Sequence, residues 1–106
     1  MKTLMALPKP PDAVFCANDL MAIGALDVAH ELGLEVPADL GIVGFDAVDA
    51  VDAATIVSPT LTTVRNPAYD ADSTAGDLLM SRISGRYSGE GRTVRLPCPL
   101  LTRGSA

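Results

Sequence analysis

The sequence predicts an α/β fold built on a parallel sheet. Two short runs, residues 13–17 (AVFCA) and 40–46 (LGIVGFD), are almost continuously apolar, as strands covered on both faces are. An alanine-rich stretch lies between them, with Asn18 and Asp19 at its start and Gly33 at its end, which are typical start and stop signals of a helix. Strand, helix and strand joined by short connections predict a βαβ unit.

The rest of the chain continues the alternation of helices and strands. Four further elements are predicted: a short helix over residues 47–57, a strand over 61–64, a helix over 67–84 and, after a flexible glycine-rich loop, a closing strand over 93–101. Acidic residues recur at Asp46, Asp49 and Asp52, but without the rhythm and glycine turn of a calcium loop. We therefore expect solvated acids there and no metal site.

Composition excludes several classes of function. The net charge is −5, with nine acids against two lysines in residues 1–60, so no concentrated basic face for DNA is present. No apolar run approaches the roughly 20 residues that span a membrane, and without a signal peptide we expect a cytoplasmic location. Cys16 and Cys98 lie in apolar runs, which predicts small, buried, unpaired thiols.

Candidate binding residues follow the predicted parallel strands. Asn18 follows the first and Asp46 the second, and ligands of open α/β sheets bind outside the carboxyl ends of such strands. An amide offers a donor and an acceptor and an ionised carboxylate offers acceptors, a pair that suits a hydroxyl-rich or amine-bearing ligand. The alternative is structural: Asn18 and Asp19 cap the helix, and Asp46 begins a turn.

Three segments taken together, ANDLMAIGAL, LGIVGFD and LTTVR, closely resemble the sensor domains of LacI/GalR-type transcriptional regulators, in family order over residues 12–105. The resemblance implies the periplasmic-binding-protein type I fold, in which two α/β subdomains flank an effector cleft. It implies that residues 12–106 form the C-terminal portion of such a domain. Residues 12–60 and 93–106 would belong to the C-terminal subdomain and 65–90 to the N-terminal one.

The resemblance also assigns residues. Asn18 and Asp46 match positions that commonly contact the effector, and Phe45 matches an aromatic position beside the cleft, where a core role is an equal alternative. Two departures affect this region: Ala47 stands where a second Asp is frequent, and Asn66 where a Gln is frequent. The dimer seam of the family corresponds here to the helix containing Ile23 and the segment near Val57. The resemblance implies no catalytic residue.

The predicted function is effector sensing and dimerisation in a DNA-binding regulator, with a sugar-like or nucleoside-like effector and no cofactor. DNA contact in the family belongs to an N-terminal helix-turn-helix, which nothing here resembles. No nucleophile motif is present and His30 is the single histidine, so we expect no enzyme. The helix over 67–84 would lack its packing partners, which predicts a homodimer or higher oligomer. Two alternatives are a transport-type periplasmic sugar-binding protein and a ligand-free oligomerising remnant.

Overall fold

The computed structural model, which describes residues 1–47 and 56–106, has a mixed α/β fold, as the sequence predicts. The elements are α1 (Lys2–Met5), β1 (Ala13–Phe15), α2 (Asp19–Glu31), β2 (Gly41–Phe45), β3 (Thr62–Val64), α3 (Ala68–Ile83) and β4 (Leu100–Leu101). The predicted helix over 47–57 lies mostly outside the described residues. The chain divides into two compact units, one of Met1–Asn66 with Pro99–Ala106 and one of Pro67–Cys98.

The first unit contains a four-stranded sheet in the order β1-β2-β3-β4. β1 pairs with β2 and β2 with β3 in parallel, whereas β4 runs antiparallel to β3. The βαβ prediction is therefore confirmed, with α2 as the crossover. Parallel pairing brings the carboxyl ends of β1, β2 and β3 to one edge of the sheet.

The core lies between α2 and one face of this sheet. Alanines on α2 let the helix approach the strands closely. Gly33, two residues after the end of α2, has a φ of 71° and stops the helix in the left-handed conformation, as the sequence predicts. The buried cluster consists of Ala22, Ala25, Leu26, Ala29, Leu40, Ile42 and Leu61. Burial of these side chains is what holds the helix on the sheet.

The C-terminal tail is bonded to the middle of the sheet through Ser105, which is fully buried. Its hydroxyl donates to the carbonyl oxygen of Ile42 at 2.6 Å and accepts from the backbone N–H of Thr62 at 2.9 Å. The N–H of Ile42 donates in turn to the carbonyl oxygen of Ser105 at 2.8 Å. One serine thus joins the tail to two neighbouring strands.

Two predictions about residues 93–101 are wrong. The closing strand is only Leu100–Leu101, because Pro97 and Pro99 have no N–H to donate to a strand ladder. Cys98 is exposed rather than buried, since the segment that carries it joins no sheet. Cys16 is half-buried and unpaired, and burial raises the pKa of its thiol.

The second unit consists of α3 and the turns that follow it. α3 occupies almost the predicted range, but none of its residues is buried, and four large apolar side chains are more than half exposed: Tyr69, Leu79, Met80 and Ile83. Within the described residues no helix is long and apolar enough to cross a membrane.

Candidate functional site

Three polar side chains stand at the carboxyl edge of the sheet. Asn18 lies three residues after the end of β1, Asp46 directly after β2, and Asn66 two residues after β3. All three are half-buried, so each is partly held by the protein and partly open to a ligand. This edge, defined by Asn18, Asp46 and Asn66, is called the polar edge below.

Asn18 is the N-cap of α2. Its backbone is extended, and its Oδ1 accepts from the backbone N–H of Met21 at 2.8 Å. The capping interpretation is therefore correct for Asn18. It does not use the whole side chain, because the cap occupies the amide oxygen while the amide –NH2 group provides two donors. Capping and ligand binding are compatible at this residue.

Asp46 is held in place by β3. Its backbone N–H donates to the carbonyl oxygen of Val64 at 2.9 Å, and Asn66 Nδ2 donates to its Oδ1 at 2.9 Å. Asp46 has a φ of 98°, a left-handed conformation that is uncommon outside glycine and costs energy. The second carboxylate oxygen supplies acceptor capacity at the polar edge. Asn66 thus orients Asp46. The sequence marked Asn66 only as a position where a Gln is frequent and did not predict this role.

Asp19 does not belong to the polar edge. Its Oδ1 accepts from the hydroxyl of Thr63, which is fully buried in β3, at 2.5 Å. The carboxylate reaches β3 across Gly44 of β2, where an added Cβ would lie 2.2 Å from Asp19 Oδ1. Asp19 therefore ties the start of α2 to β3. A glycine inside an apolar strand was the one sequence signal of this close approach.

Phe45 lies in β2, where side chains alternate between the faces of the sheet. Ile42 and Gly44 point to α2, so the half-buried Phe45 lies on the opposite face. The same alternation and register place Phe15 on that opposite face, with 64% of its surface exposed, although residues 13–17 were predicted as a fully buried strand. Phe15 is thus an exposed aromatic that the sequence reasoning missed, three residues before Asn18.

The residues predicted for a dimer seam, Ile23 and Val57, are both partly buried and pack against the apolar core. Exposed apolar surface on α2 is instead provided by Leu20 and Met21, which are 76% and 57% exposed. Of the acids considered for a metal, Asp49 and Asp52 lie outside the described residues. No group of three potential metal ligands occurs within residues 1–47 and 56–106.

A family model described as "Periplasmic binding protein-like domain" matches residues 1–106. The HTH-type transcriptional repressor CytR of Escherichia coli K12 is 43% identical over 105 residues, which cover 99% of this chain and 30% of the repressor. The lactose operon repressor of Rhizobium radiobacter is 40% identical over 106 residues, covering 99% of this chain and 88% of that protein. The chain thus spans less than a third of the length of the first of these relatives.

Solved structures agree with these matches. A LacI transcriptional regulator from Bacillus cereus subsp. cytotoxis is 30% identical with a TM-score of 0.87, over 99% of this chain and 36% of that one. A complex of the regulator CelR with cellobiose is 36% identical with a TM-score of 0.78, over 90% and 28%. A dimeric lac repressor is 33% identical with a TM-score of 0.76, over 90% and 33%.

Proposed function

Because the chain belongs to the LacI/GalR family of transcriptional regulators, within their periplasmic-binding-protein-like domain, we propose that it senses a small-molecule effector and thereby modulates operator affinity. The proposed role is regulatory and not enzymatic, and its proposed location is the cytoplasm, where a repressor meets its operator. The effector class that we propose is a sugar or a nucleoside.

The observation that carries the proposal is the polar edge. It presents an amide –NH2 group at Asn18 and a carboxylate at Asp46, and the carboxylate is held by Asn66 at 2.9 Å. Vicinal hydroxyl groups of a sugar ring both donate and accept, so they match an amide donor and a fixed carboxylate acceptor at the same edge of the sheet. A carboxylate that is oriented before binding loses less entropy when the ligand arrives.

Two aromatic residues support the same class of ligand. Phe45 and Phe15 lie on the same face of the sheet, near the ends of β2 and β1. Binding sites for small molecules combine apolar and aromatic walls with a few placed polar groups, and a sugar ring has apolar C–H surface as well as hydroxyl groups. The neighbour solved with cellobiose is itself a sugar complex, which supports the sugar class.

Dimerisation is the second part of the proposal. We place the seam along α2, at Ile23, and through the segment near Val57. The part of Ile23 that remains accessible and the exposed Leu20 and Met21 would lose contact with water in such an interface. A similar chain was solved as a dimeric repressor, which supports this assembly.

The test of sensing uses a chimeric repressor, in which this chain replaces the matching 105 residues of the E. coli relative. Operator occupancy is measured by fluorescence anisotropy while glucose, cellobiose, ribose, cytidine and adenosine are added separately. At least one of them should shift occupancy. A chimera that binds operator and answers none of these probes would refute the proposed effector class.

Variants then test the residues. Asn18→Ser retains a capping oxygen and loses the –NH2 group, and Asp46→Asn retains an acceptor for Asn66 and loses the charge. Each should weaken the effector response about tenfold or more, as the loss of a hydrogen bond to a charged or buried polar group does. Asp27→Asn, at an exposed position in the middle of α2, is the matched control. Unchanged responses in both site variants would exclude the polar edge as the effector site.

A further inference from the structure

The last turn of α3 and the segment that follows it are strongly basic in an otherwise acidic chain. Residues 81–96 contain four arginines, Arg82, Arg86, Arg92 and Arg95, and a single acid, Glu90, while the whole chain has a net charge of −5. Like charges in one short segment repel each other, so some other contact must hold them together.

That contact is the ring of Tyr87. The guanidinium carbon of Arg92 lies 4.0 Å from the ring centroid, and that of Arg82 lies 5.5 Å from it. Both distances lie in the range of cation–π attraction. The two guanidinium carbons are therefore less than about 10 Å apart. The attraction of both to the Tyr87 ring offsets part of the repulsion between their charges.

The surrounding turn fixes both arginines without neutralising them. Arg82 Nη2 donates to the carbonyl oxygens of Gly89 and Glu90 at 3.0 and 2.9 Å, and Arg92 Nη2 donates to Ser81 Oγ at 2.8 Å. All of these acceptors are uncharged. No carboxylate of residues 1–47 and 56–106 forms an ion pair with either arginine. A guanidinium has five N–H donors, so both retain donors for an external acceptor.

Arg82 and Arg92 also line the same cleft. It has a volume of about 200 Å3, and Leu78, Leu79 and Gly91 complete its wall without any acidic residue. Pockets for drug-sized ligands typically measure about 300–1,000 Å3, so this cleft suits one small group rather than a whole cofactor.

We propose that this cleft, called the arginine cleft here, binds a dianionic phosphate group, either inorganic phosphate or the phosphate of a small monoester. Two positive groups match two negative charges, and a guanidinium donates to phosphate oxygens through paired N–H groups. The site belongs to the second unit and is independent of the effector proposal, which rests on the first.

NMR titration of the 15N-labelled chain tests this at constant ionic strength, with inorganic phosphate, methyl phosphate and dimethyl phosphate as probes. The Nε–Hε signals of Arg82 and Arg92 should shift and saturate with the first two probes. Dimethyl phosphate, a singly charged diester, should bind at least fivefold more weakly. Non-saturating shifts with all three probes would overturn the proposal.

Variants separate a defined cleft from diffuse attraction. Arg82→Gln and Arg92→Gln should each weaken methyl phosphate binding at least tenfold. Arg95→Gln makes the same charge change outside the cleft and should change the affinity less than twofold. Equal losses in all three variants would refute the cleft.

Two further measurements keep the result interpretable. Arg82→Lys and Arg92→Lys retain the charge, so they should weaken binding less than the glutamine variants do, provided that the amide spectrum keeps its dispersion. Lysine and glutamine variants that lose binding equally would overturn the charge matching on which the proposal rests. A short DNA duplex is the last probe: binding that depends equally on Arg95 would identify a polyelectrolyte surface and overturn the single-phosphate assignment.

Discussion

Replacing Gly44 by alanine tests the contact by which Asp19 ties α2 to β3. An added Cβ would lie 2.2 Å from Asp19 Oδ1 and 3.1 Å from Leu61 Cδ2. The carboxylate lies too close to stay where it is, so we expect it to swing away. The hydroxyl of Thr63, which is fully buried, would then lose its 2.5 Å bond to Asp19.

The cost of Gly44→Ala has three parts. A buried hydroxyl without its partner costs about 1–3 kcal/mol, and overpacking against the side chain of Leu61 costs about 1–3 kcal/mol. Replacing glycine in a strand returns roughly 0.5–1 kcal/mol, because the unfolded chain loses freedom. The free energy of unfolding should therefore fall by about 1–5 kcal/mol, with a central value of about 3 kcal/mol.

Urea unfolding followed by circular dichroism measures this change. A loss of that size should lower the midpoint by about 1–2 M at the slopes usual for small proteins. Gly24→Ala is the matched control, because nothing lies within 4 Å of its added Cβ on α2, and it should stabilise the chain.

The decisive comparison repeats Gly44→Ala in a Thr63→Val background. If the substitution acts through the Asp19–Thr63 bond, its cost should be about 1–2 kcal/mol smaller where that bond is already absent. An equal cost in both backgrounds, or a Gly44→Ala chain as stable as the parent, would show that the Asp19–Thr63 bond does not carry this effect.

Three further predictions concern other contacts of the first unit. Ser105→Ala removes both hydroxyl bonds of a fully buried serine, so the free energy of unfolding should fall by about 1–3 kcal/mol in urea titration, and a change below 0.5 kcal/mol would contradict the tail contact. Asn18→Ala removes the cap of α2 and should cost about 1 kcal/mol, whereas Asn18→Ser should cost only a few tenths. The raised pKa of Cys16 means that the unfolded state loses the thiol proton first, so stability should fall as the pH rises above 9.0, and Cys16→Ala should abolish that part of the fall.

Local patterns predicted the first half of the fold well. Continuous apolar runs and a capped alanine-rich helix were enough to place β1, α2 and β2, because apolar runs and capping residues are local features of the sequence. The expectation that β1 is covered on both faces was wrong, since Phe15 is 64% exposed. The predicted length of β4 was wrong for an equally local reason. Residues 93–101 are largely apolar and β-branched, but Pro97 and Pro99 lack the N–H donors that a strand of that length needs.

The site was predicted only in part. Asn18 and Asp46 could be selected because the strand-end rule needs nothing beyond the positions of the strands. The partners of Asp19 and Asp46 could not be predicted. Thr63 follows Asp19 by 44 residues and Asn66 follows Asp46 by 20, and only the register of β3 against β2 brings these groups together. Cross-strand partners of this kind require the three-dimensional pairing, which no local pattern encodes.

β3 and the residues just after it therefore hold both Asp19, which supports the fold, and Asp46, which we propose as an effector-binding residue. The buried Thr63 of β3 donates to the Asp19 carboxylate and so fixes α2. Asn66, beyond the end of β3, occupies one oxygen of Asp46, and the other is the oxygen that we propose for the effector. Substitutions in the first pair should change the free energy of unfolding, because they leave a buried polar group without a partner. Conservative substitutions at Asn18 or Asp46 should change effector binding with little effect on stability, because each retains the bond that the fold uses.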